Sequence, residues 1–351
     1  MSDRSKRESQ AVVVNPLDRR LETTLREIVE GKAKPPGSLG RVEDLAVRLG
    51  LIQGRLDPRL ERVVLFVFAG DHGLTQEGVS SYPAEVTTAM VTTFLAQKAC
   101  VNAFARAVDV DVRVVDAGVA AELPPHPRLI DAKVRNGTRN AAREPALTSP
   151  ETRQALARGA ELVGKAIDEG ADAIAIGEMG IGNTASAALL MHRLAPAPLE
   201  SCVGRGAGHD AAGLERKIAV LRRAAARTPA SDPLEVLCEF GGCEIAMMAG
   251  AMIGTAARRR PVVVDGFIST AAALAAIRMQ PALIDYCIFS HRSAEQGHGT
   301  LLKALGVEPL FDFGMRLGEG SGAALAIPVM RAAARLVTDV ASLGDVLAGA
   351  L

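Results

Sequence analysis

Five side chains in this 351-residue chain have the type and setting to do chemistry: Asp71, His72, Glu178, His291 and Glu319. Each lies in a polar or glycine-rich segment beyond an apolar run. Glu319 is flanked by Gly318, Gly320 and Gly322. Glycine neighbours give a structural acid little to pack against. They suit a carboxylate in a closely approached, partly desolvated pocket, whose pKa rises toward use as a base. The other reading is a helix N-cap, because a helical pattern follows at once. His291 fits a general acid or base, a phosphate contact, or an ordinary loop residue. Asp71 and His72 could be a metal pair, but hydrogen bonding within their loop is the simpler expectation. Glu178 is the odd one. It sits inside a glycine turn that otherwise looks made for an anion.

That turn is Gly177-Glu178-Met179-Gly180-Ile181-Gly182-Asn183-Thr184. An apolar run precedes it and an Ala/Leu-rich run follows it. A glycine-rich turn from strand to helix lets backbone N–H groups approach an anion, and the helix dipole favours negative charge there. The bland alternative is tight packing alone. A second turn, Gly204-Arg205-Gly206-Ala207-Gly208, comes soon after. A carboxylate would repel a phosphate unless it faced another part of the ligand. Two such turns and an internal acid therefore suggest a sugar phosphate, with Glu178 on the ribose hydroxyls.

The elements that must position these groups alternate. Apolar runs predict strands at 63–68, 112–115, 173–176, 261–265, 282–289 and 309–313. Helical spacing predicts helices at 17–30, 42–51, 84–107, 151–169, 185–194, 211–226, 243–258, 269–279, 294–305 and 323–337. Residues 121–150, rich in Pro, Arg and Asn, read as an excursion, and 1–14 as a loose tail. Alternation of this kind argues for an α/β fold, with a mainly parallel sheet and helices on both faces. The first two helices precede the first strand and look like a small appendage. The segments 70–73, 177–184, 266–269, 290–293 and 314–322 all fall at the carboxyl ends of predicted strands. In a parallel sheet those ends share one edge, so the five segments should converge.

Composition excludes other classes. Lys plus Arg number 40, as do Asp plus Glu, so no net charge favours nucleic acid or a membrane surface. Aromatics are 3% and Trp is absent, which leaves no stacking platform for single strands. The five cysteines form no C-x-x-C pair and have no zinc-like spacing, so they read as reduced thiols of a cytoplasmic protein. The first ten residues are polar, and no run is long enough to span a membrane. Neither a G-x-S-x-G nucleophile elbow nor a Walker lysine pattern occurs.

Taken together the motifs resemble one enzyme family. They are Lys34-Pro35-Pro36-Gly37-Ser38-Leu39-Gly40, Gly70-Asp71-His72-Gly73 with Gly78-Val79-Ser80, the 177–184 turn, and Val203-Gly204-Arg205-Gly206. Val264-Asp265-Gly266-Phe267, Ser290-His291-Arg292-Ser293 and Arg316-Leu317-Gly318-Glu319-Gly320 complete the set. In order and spacing they are similar to the nicotinate-nucleotide:5,6-dimethylbenzimidazole phosphoribosyltransferases of cobalamin nucleotide-loop assembly. The resemblance implies transfer of phosphoribosyl from nicotinate mononucleotide to a benzimidazole nitrogen, giving α-ribazole 5′-phosphate and nicotinate. It implies a Rossmann-like catalytic domain at 61–335, with a small helical domain from the chain ends, 1–60 and 336–351. It also implies a homodimer.

The family's catalytic glutamate falls on Glu319. Its phosphoribosyl site falls on Gly177, Glu178, Gly180, Ile181, Gly182, Asn183 and Thr184, on Gly204, Arg205 and Gly206, and on Lys217 and Ser293. Its base pocket takes in Ser80, Ser81, Tyr82, Ala89, Met90 and Leu317. Ala89 stands where relatives often carry Gln, and Gly208-His209-Asp210 is unusual. The first bears on the preferred base, the second on the phosphate site. The residues suit this chemistry. A pyridinium leaves as a neutral ring and needs no acid, whereas the acceptor nitrogen must lose a proton, so one base suffices. No metal and no cofactor are expected. The alternatives are the same transfer to adenine, another benzimidazole or a phenol, or a non-catalytic nucleotide sensor using the same loops.

Overall fold

A segment apolar at every position, such as Val63–Gly70, belongs in the interior of a parallel sheet covered on both faces. The computed structural model of the chain describes residues 12–206, 208 and 210–350, and places this segment as β1, buried along its whole length. Around it lie β2 (Asp111–Gly118), β3 (Leu129–Asp131), β4 (Ala173–Met179), β5 (Val262–Val264) and β6 (Cys287–Phe289). Their order is β3-β2-β1-β4-β5-β6, and every neighbouring pair is parallel. The chain order reverses between β1 and β4. In such sheets the ligand crevice opens beyond the carboxyl ends of the two strands at that point.

The helices are α1 (Glu22–Glu30), α2 (Arg41–Gln53), α3 (Glu85–Leu95), α4 (Cys100–Ala107), α5 (Ser149–Asp168), α6 (Asn183–Leu194) and α7 (Leu199–Cys202). They continue with α8 (Ala211–Ala226), α9 (Pro233–Phe240), α10 (Cys243–Ala257), α11 (Phe267–Met279), α12 (His298–Leu305), α13 (Ser321–Thr338) and α14 (Leu343–Ala348). The period of two along β1 divides them. Val64, Phe66 and Phe68 point into one core with residues of α5, α6, α10 and α11. Val63, Leu65, Val67 and Ala69 point into the other with residues of α1, α2, α4 and α13. The parallel α/β fold expected from the alternation is thus the one found.

The chain ends meet. The Ala33 N–H donates to the Ala341 carbonyl at 2.9 Å, and the Leu343 N–H donates to that of Gly31 at 2.9 Å. On the opposite face α5 and α10 touch through a seam of glycines. A Cβ added to Gly159 would strike the Met247 carbonyl, one on Gly250 the Leu156 carbonyl, and one on Gly254 would lie 2.7 Å from the Ala160 Cα.

Four expected elements differ. The helix expected over 84–107 is broken into α3 and α4. Gln97 adopts a left-handed φ of 61°, and the Asn102 side chain accepts from the Ala99 N–H to start a new helix. The strand expected over 282–289 begins as a 3-10 turn, Pro281–Tyr286, with Pro281 at its first position, where a missing N–H costs nothing and the fixed φ suits a helical turn. The segment 309–313 forms only a bridge between Phe311 and His291. The helix expected from residue 294 starts at His298, since 290–297 is loop. Within 121–150 lies the edge strand β3. The expected loose tail at 1–14 lies outside the described residues up to residue 11, as do Ala207 and His209.

Candidate active site

Glu319 sits at the head of α13 with φ 66°, a left-handed conformation that costs a non-glycine residue roughly 1–3 kcal/mol unless its surroundings over-determine it. They do so here. Beneath the turn, a Cβ on Gly177 would lie 2.5 Å from the Glu319 carbonyl oxygen, so β4 approaches at backbone distance. Glu319 is 6% exposed, and its Oε2 accepts a long hydrogen bond, 3.4 Å, from the Val101 N–H of α4. The break between α3 and α4, invisible to helical spacing, aims that N–H. Burial raises the Glu319 pKa above the usual carboxylate value, the Val101 N–H opposes the rise, and the Asp265 charge adds to it.

The first glycine turn follows β4. Gly182, φ 91°, is the N-cap of α6, and the Ile181 N–H donates to Thr87 Oγ1 at 3.1 Å. Glu178 is buried and accepts from the Asn183 side-chain amide. Burial pushes its pKa up to about 8 and the Asp265 charge adds, the Asn183 amide opposes, and Glu244 and Glu319 add further. Its close neighbour across the site is Gly318, whose missing Cβ leaves room for the Glu178 carboxylate.

A stability prediction follows from Glu178. Its folded pKa is raised, so the native state holds a proton that the unfolded chain has released. Its contribution to stability is present below about pH 4.5 and is lost as pH rises through about 8. Glu178→Gln is expected to melt like the wild type at pH 5 and at a higher temperature at pH 9. Equal melting temperatures at pH 9, by scanning calorimetry, would refute the buried neutral acid.

The second turn is held from below. Lys217, fully buried on α8, donates to Thr184 Oγ1 at 2.9 Å and to the Gly204 carbonyl at 3.2 Å, tying the two glycine turns together. Burial lowers its pKa to about 8, opposed by the charge of Glu295. Glu295 Oε1 accepts from the Gly206 N–H at 3.1 Å, and Ser293 Oγ accepts from the Glu295 N–H at 3.2 Å.

These loops enclose a cavity of about 480 Å³. Its polar wall includes Glu178, Gly180, Gly182, Asn183, Thr184, Gly206, Ser293, Glu295, Arg316 and Glu319. Its apolar wall includes Val79, Val86, Met90, Met179, Ile181, Phe267 and Leu317, with Ser80 and Tyr82 beside them. Thus most of the expected site residues are brought together. Six do not line the cavity. Gly177 lies behind the Glu319 turn and Lys217 beneath the glycine turns. Gly204 is packed against the Glu295 side chain. Arg205, Ser81 and Ala89 are exposed.

Asp71 and His72 face inward, into separate hydrogen bonds. Asp71 Oδ2 accepts from the Ala120 N–H at 2.8 Å. His72 Nε2 lies 2.6 Å from Glu244 Oε1, and its Nδ1 lies 2.9 Å from Ser186 Oγ. Burial is the largest influence on His72 and lowers its pKa, but the Glu244 charge, the Glu244 hydrogen bond and the Asp71 charge together outweigh it, and the net shift is upward. His291 is buried with Nε2 3.7 Å from Asp265 Oδ1. It is not among the cavity-lining residues. Among the described residues no group of three or more His, Cys, Asp or Glu is arranged to hold a metal ion.

Sequence reasoning gave no role to Glu295, which lines the cavity, or to Glu244, Asp265 and His298, which lie outside it; His298 Nδ1 accepts from the Ser293 N–H at 2.8 Å. One signal was available for Glu244: it is the only charged residue of α10.

A phosphoribosyltransferase family model matches residues 14–346. A nicotinate-nucleotide–dimethylbenzimidazole phosphoribosyltransferase of Ralstonia nicotianae is 52% identical over 332 residues, covering 94% of each chain. Its counterpart from Cupriavidus necator is 48% identical over 330 residues, covering 94% of this chain and 95% of the relative. The crystal structure of CobT from Thermus thermophilus superposes with a TM-score of 0.90 at 46% identity, covering 93% of this chain and 98% of that one. The parallel fold agrees with that structural match, and the chain belongs to the nicotinate-nucleotide–dimethylbenzimidazole phosphoribosyltransferase family.

Proposed function

We propose that the chain transfers phosphoribosyl from nicotinate mononucleotide to 5,6-dimethylbenzimidazole, for cobalamin biosynthesis. The observation that carries this reading is one cavity that joins a buried, strained glutamate to a glycine-lined anion cradle and an apolar wall. The phosphoribosyl moiety lies along Gly180 to Thr184 and Gly206, with Ser293 nearby. Lys217 acts through Thr184 and Gly204, and Arg205 meets the phosphate from the rim. Glu178 faces the ribose hydroxyls. The base lies against Met90 and Leu317, with Ser80 and Tyr82 at the mouth. Glu319 accepts the proton that the benzimidazole ring sheds as its attacking nitrogen bonds to the anomeric carbon. The nicotinate ring departs with the bonding pair and becomes neutral, so the exchange needs no acid. Attack from the face opposite the leaving group turns a β-nucleotide into an α-product.

The deciding experiment incubates the protein with nicotinate mononucleotide and dimethylbenzimidazole, another benzimidazole, adenine or phenol, separately and in competition. α-Ribazole 5′-phosphate, identified by mass and chromatography, is expected to dominate. Preference for another acceptor would reassign the base, and no product with any of them would leave only a nucleotide-binding role.

We also propose that the protein is a cytoplasmic homodimer in which the chain ends form a small helical domain. Supporting this are five unpaired cysteines, the pairing of residues 31–33 with 341–343, and apolar side chains left open on α14, where Leu347 is 79% exposed. Light scattering at micromolar concentration is expected to give twice the 36.7 kDa chain mass. A value near the chain mass would remove the dimer.

A further inference from the structure

Asp265 stands one residue beyond β5 and is 1% exposed. Its Oδ1 lies 3.7 Å from His291 Nε2, and both of its oxygens accept hydrogen bonds from the turn that carries Glu319. Oδ2 accepts from the Gly320 N–H at 3.0 Å, and Oδ1 accepts from the Ala323 N–H at 2.9 Å. These donors flank the start of α13, where unpaired N–H groups and the helix dipole favour a negative charge. The carboxylate comes from another strand, so it fixes where the helix begins relative to the sheet. The turn is therefore wedged. On one side Gly177 lets β4 reach the Glu319 carbonyl, and on the other Asp265 holds the next residue by its N–H. A Cβ on Gly322 would lie 2.9 Å from Asp265 Oδ1 and would strike the His291 ring, so this contact leaves no slack either. Glu319 keeps its left-handed backbone because both sides of the turn are pinned.

We propose that Asp265 is a positioning residue for the Glu319 base, holding the strained 318–323 turn so that the carboxylate faces the cavity. The inference rests on the reading of Glu319 given above. Asp265 acts in a second way, through its charge. The titratable groups packed around this corner are Glu178 on β4, Glu244 at the head of α10, Asp265 after β5 and His291 after β6. Of these, Asp265 is the carboxylate whose charge raises the affinity of Glu319 for a proton. A merely structural clamp would leave that affinity alone.

The test uses the full chain with nicotinate mononucleotide and dimethylbenzimidazole. Asp265→Asn keeps the volume and one acceptor oxygen but loses the charge and one clamp. Its turnover is expected to fall roughly 10- to 100-fold, as for a reacting group displaced by about an ångström, with KM for nicotinate mononucleotide nearly unchanged. The acidic limb of its kcat/KM profile is expected to move to lower pH, because removing a neighbouring negative charge eases ionisation of the base. In a Glu319→Gln background the same change should cost little more, since it acts through a group already gone.

An unmoved limb with wild-type turnover overturns the proposal, as does an equal loss in both backgrounds. Wild-type turnover for Glu319→Gln alone marks a different failure, that of Glu319 as the base. Far-ultraviolet circular dichroism checks folding. If Asp265→Asn does not fold, Asp265→Ser carries the same measurements.

Discussion

Glu319→Gln is expected to lower turnover on dimethylbenzimidazole by about 10²–10⁴-fold, or about 3–5 kcal/mol of barrier. The substitution keeps the side-chain length and an oxygen that still accepts from the Val101 N–H, so the turn is preserved. What disappears is proton acceptance. Burial and the Asp265 charge raise the proton affinity of Glu319, which brings it nearer the working range of a general base. Nicotinate mononucleotide should still bind, because the glycine turns are untouched. The loss should shrink for an acceptor that sheds no proton, such as an N-methylated base. Single-turnover kinetics make the measurement where chemistry limits the rate. Wild-type turnover there would leave Glu319 a structural carboxylate held by the Val101 N–H, and the proton would pass to another acceptor.

Gly182→Val is expected to weaken nicotinate mononucleotide binding by more than about 100-fold. Gly182 holds a φ of 91°, which a β-branched residue resists, and an added Cβ would lie 2.8 Å from Thr75 Cγ2. The turn must then shift, carrying the N-terminus of α6 and the N–H groups of its first turn away from their places. Hydrogen bonds to a charged group are worth about 1.5–3 kcal/mol each, so losing two is enough for this effect. Calorimetry measures it. Unchanged affinity in a folded variant would mean that the phosphate lies elsewhere.

Much of this was legible because the physics is local. Val63 to Phe68 and Ala173 to Ile176 are apolar at every position, and only a doubly covered strand tolerates that. The segments 70–73, 177–184, 266–269 and 290–293 each follow a strand, so their convergence at one edge followed from the parallel sheet, whereas 204–208 follows a short helix and 314–322 only a bridge. What stayed hidden depends on partners far along the chain. The break at Gln97 is stabilised by Asn102 and serves Glu319, more than two hundred residues away. Helical spacing carries no trace of it. Asp265 sat within a motif but showed no role until α13 was placed against β5. For His72 the simpler expectation is hydrogen bonding within its loop, but its side-chain partners, Glu244 and Ser186, lie over a hundred residues distant. The segment 309–313 has strand composition, yet it bonds mainly through Leu310 and Phe311 to the carbonyls of Phe289 and Ser290.

The glycine seam between α5 and α10 also bears on motion. Two helices joined at backbone distance cannot slide or part without opening a gap along their length, and interiors resist such gaps. They therefore travel as one body. Glu244 heads α10 and grips His72, so the floor beneath the cavity is anchored to that body. Any breathing needed to admit a nucleotide and release its product is thus pushed out to the rim. There, Tyr82 and Leu317 are half exposed, and Arg316 reaches across to the Gly206 carbonyl at 3.4 Å. Hydrogen exchange should divide along this line, slow in the amides of α5 and α10 and fast in the loops around Tyr82 and Arg316.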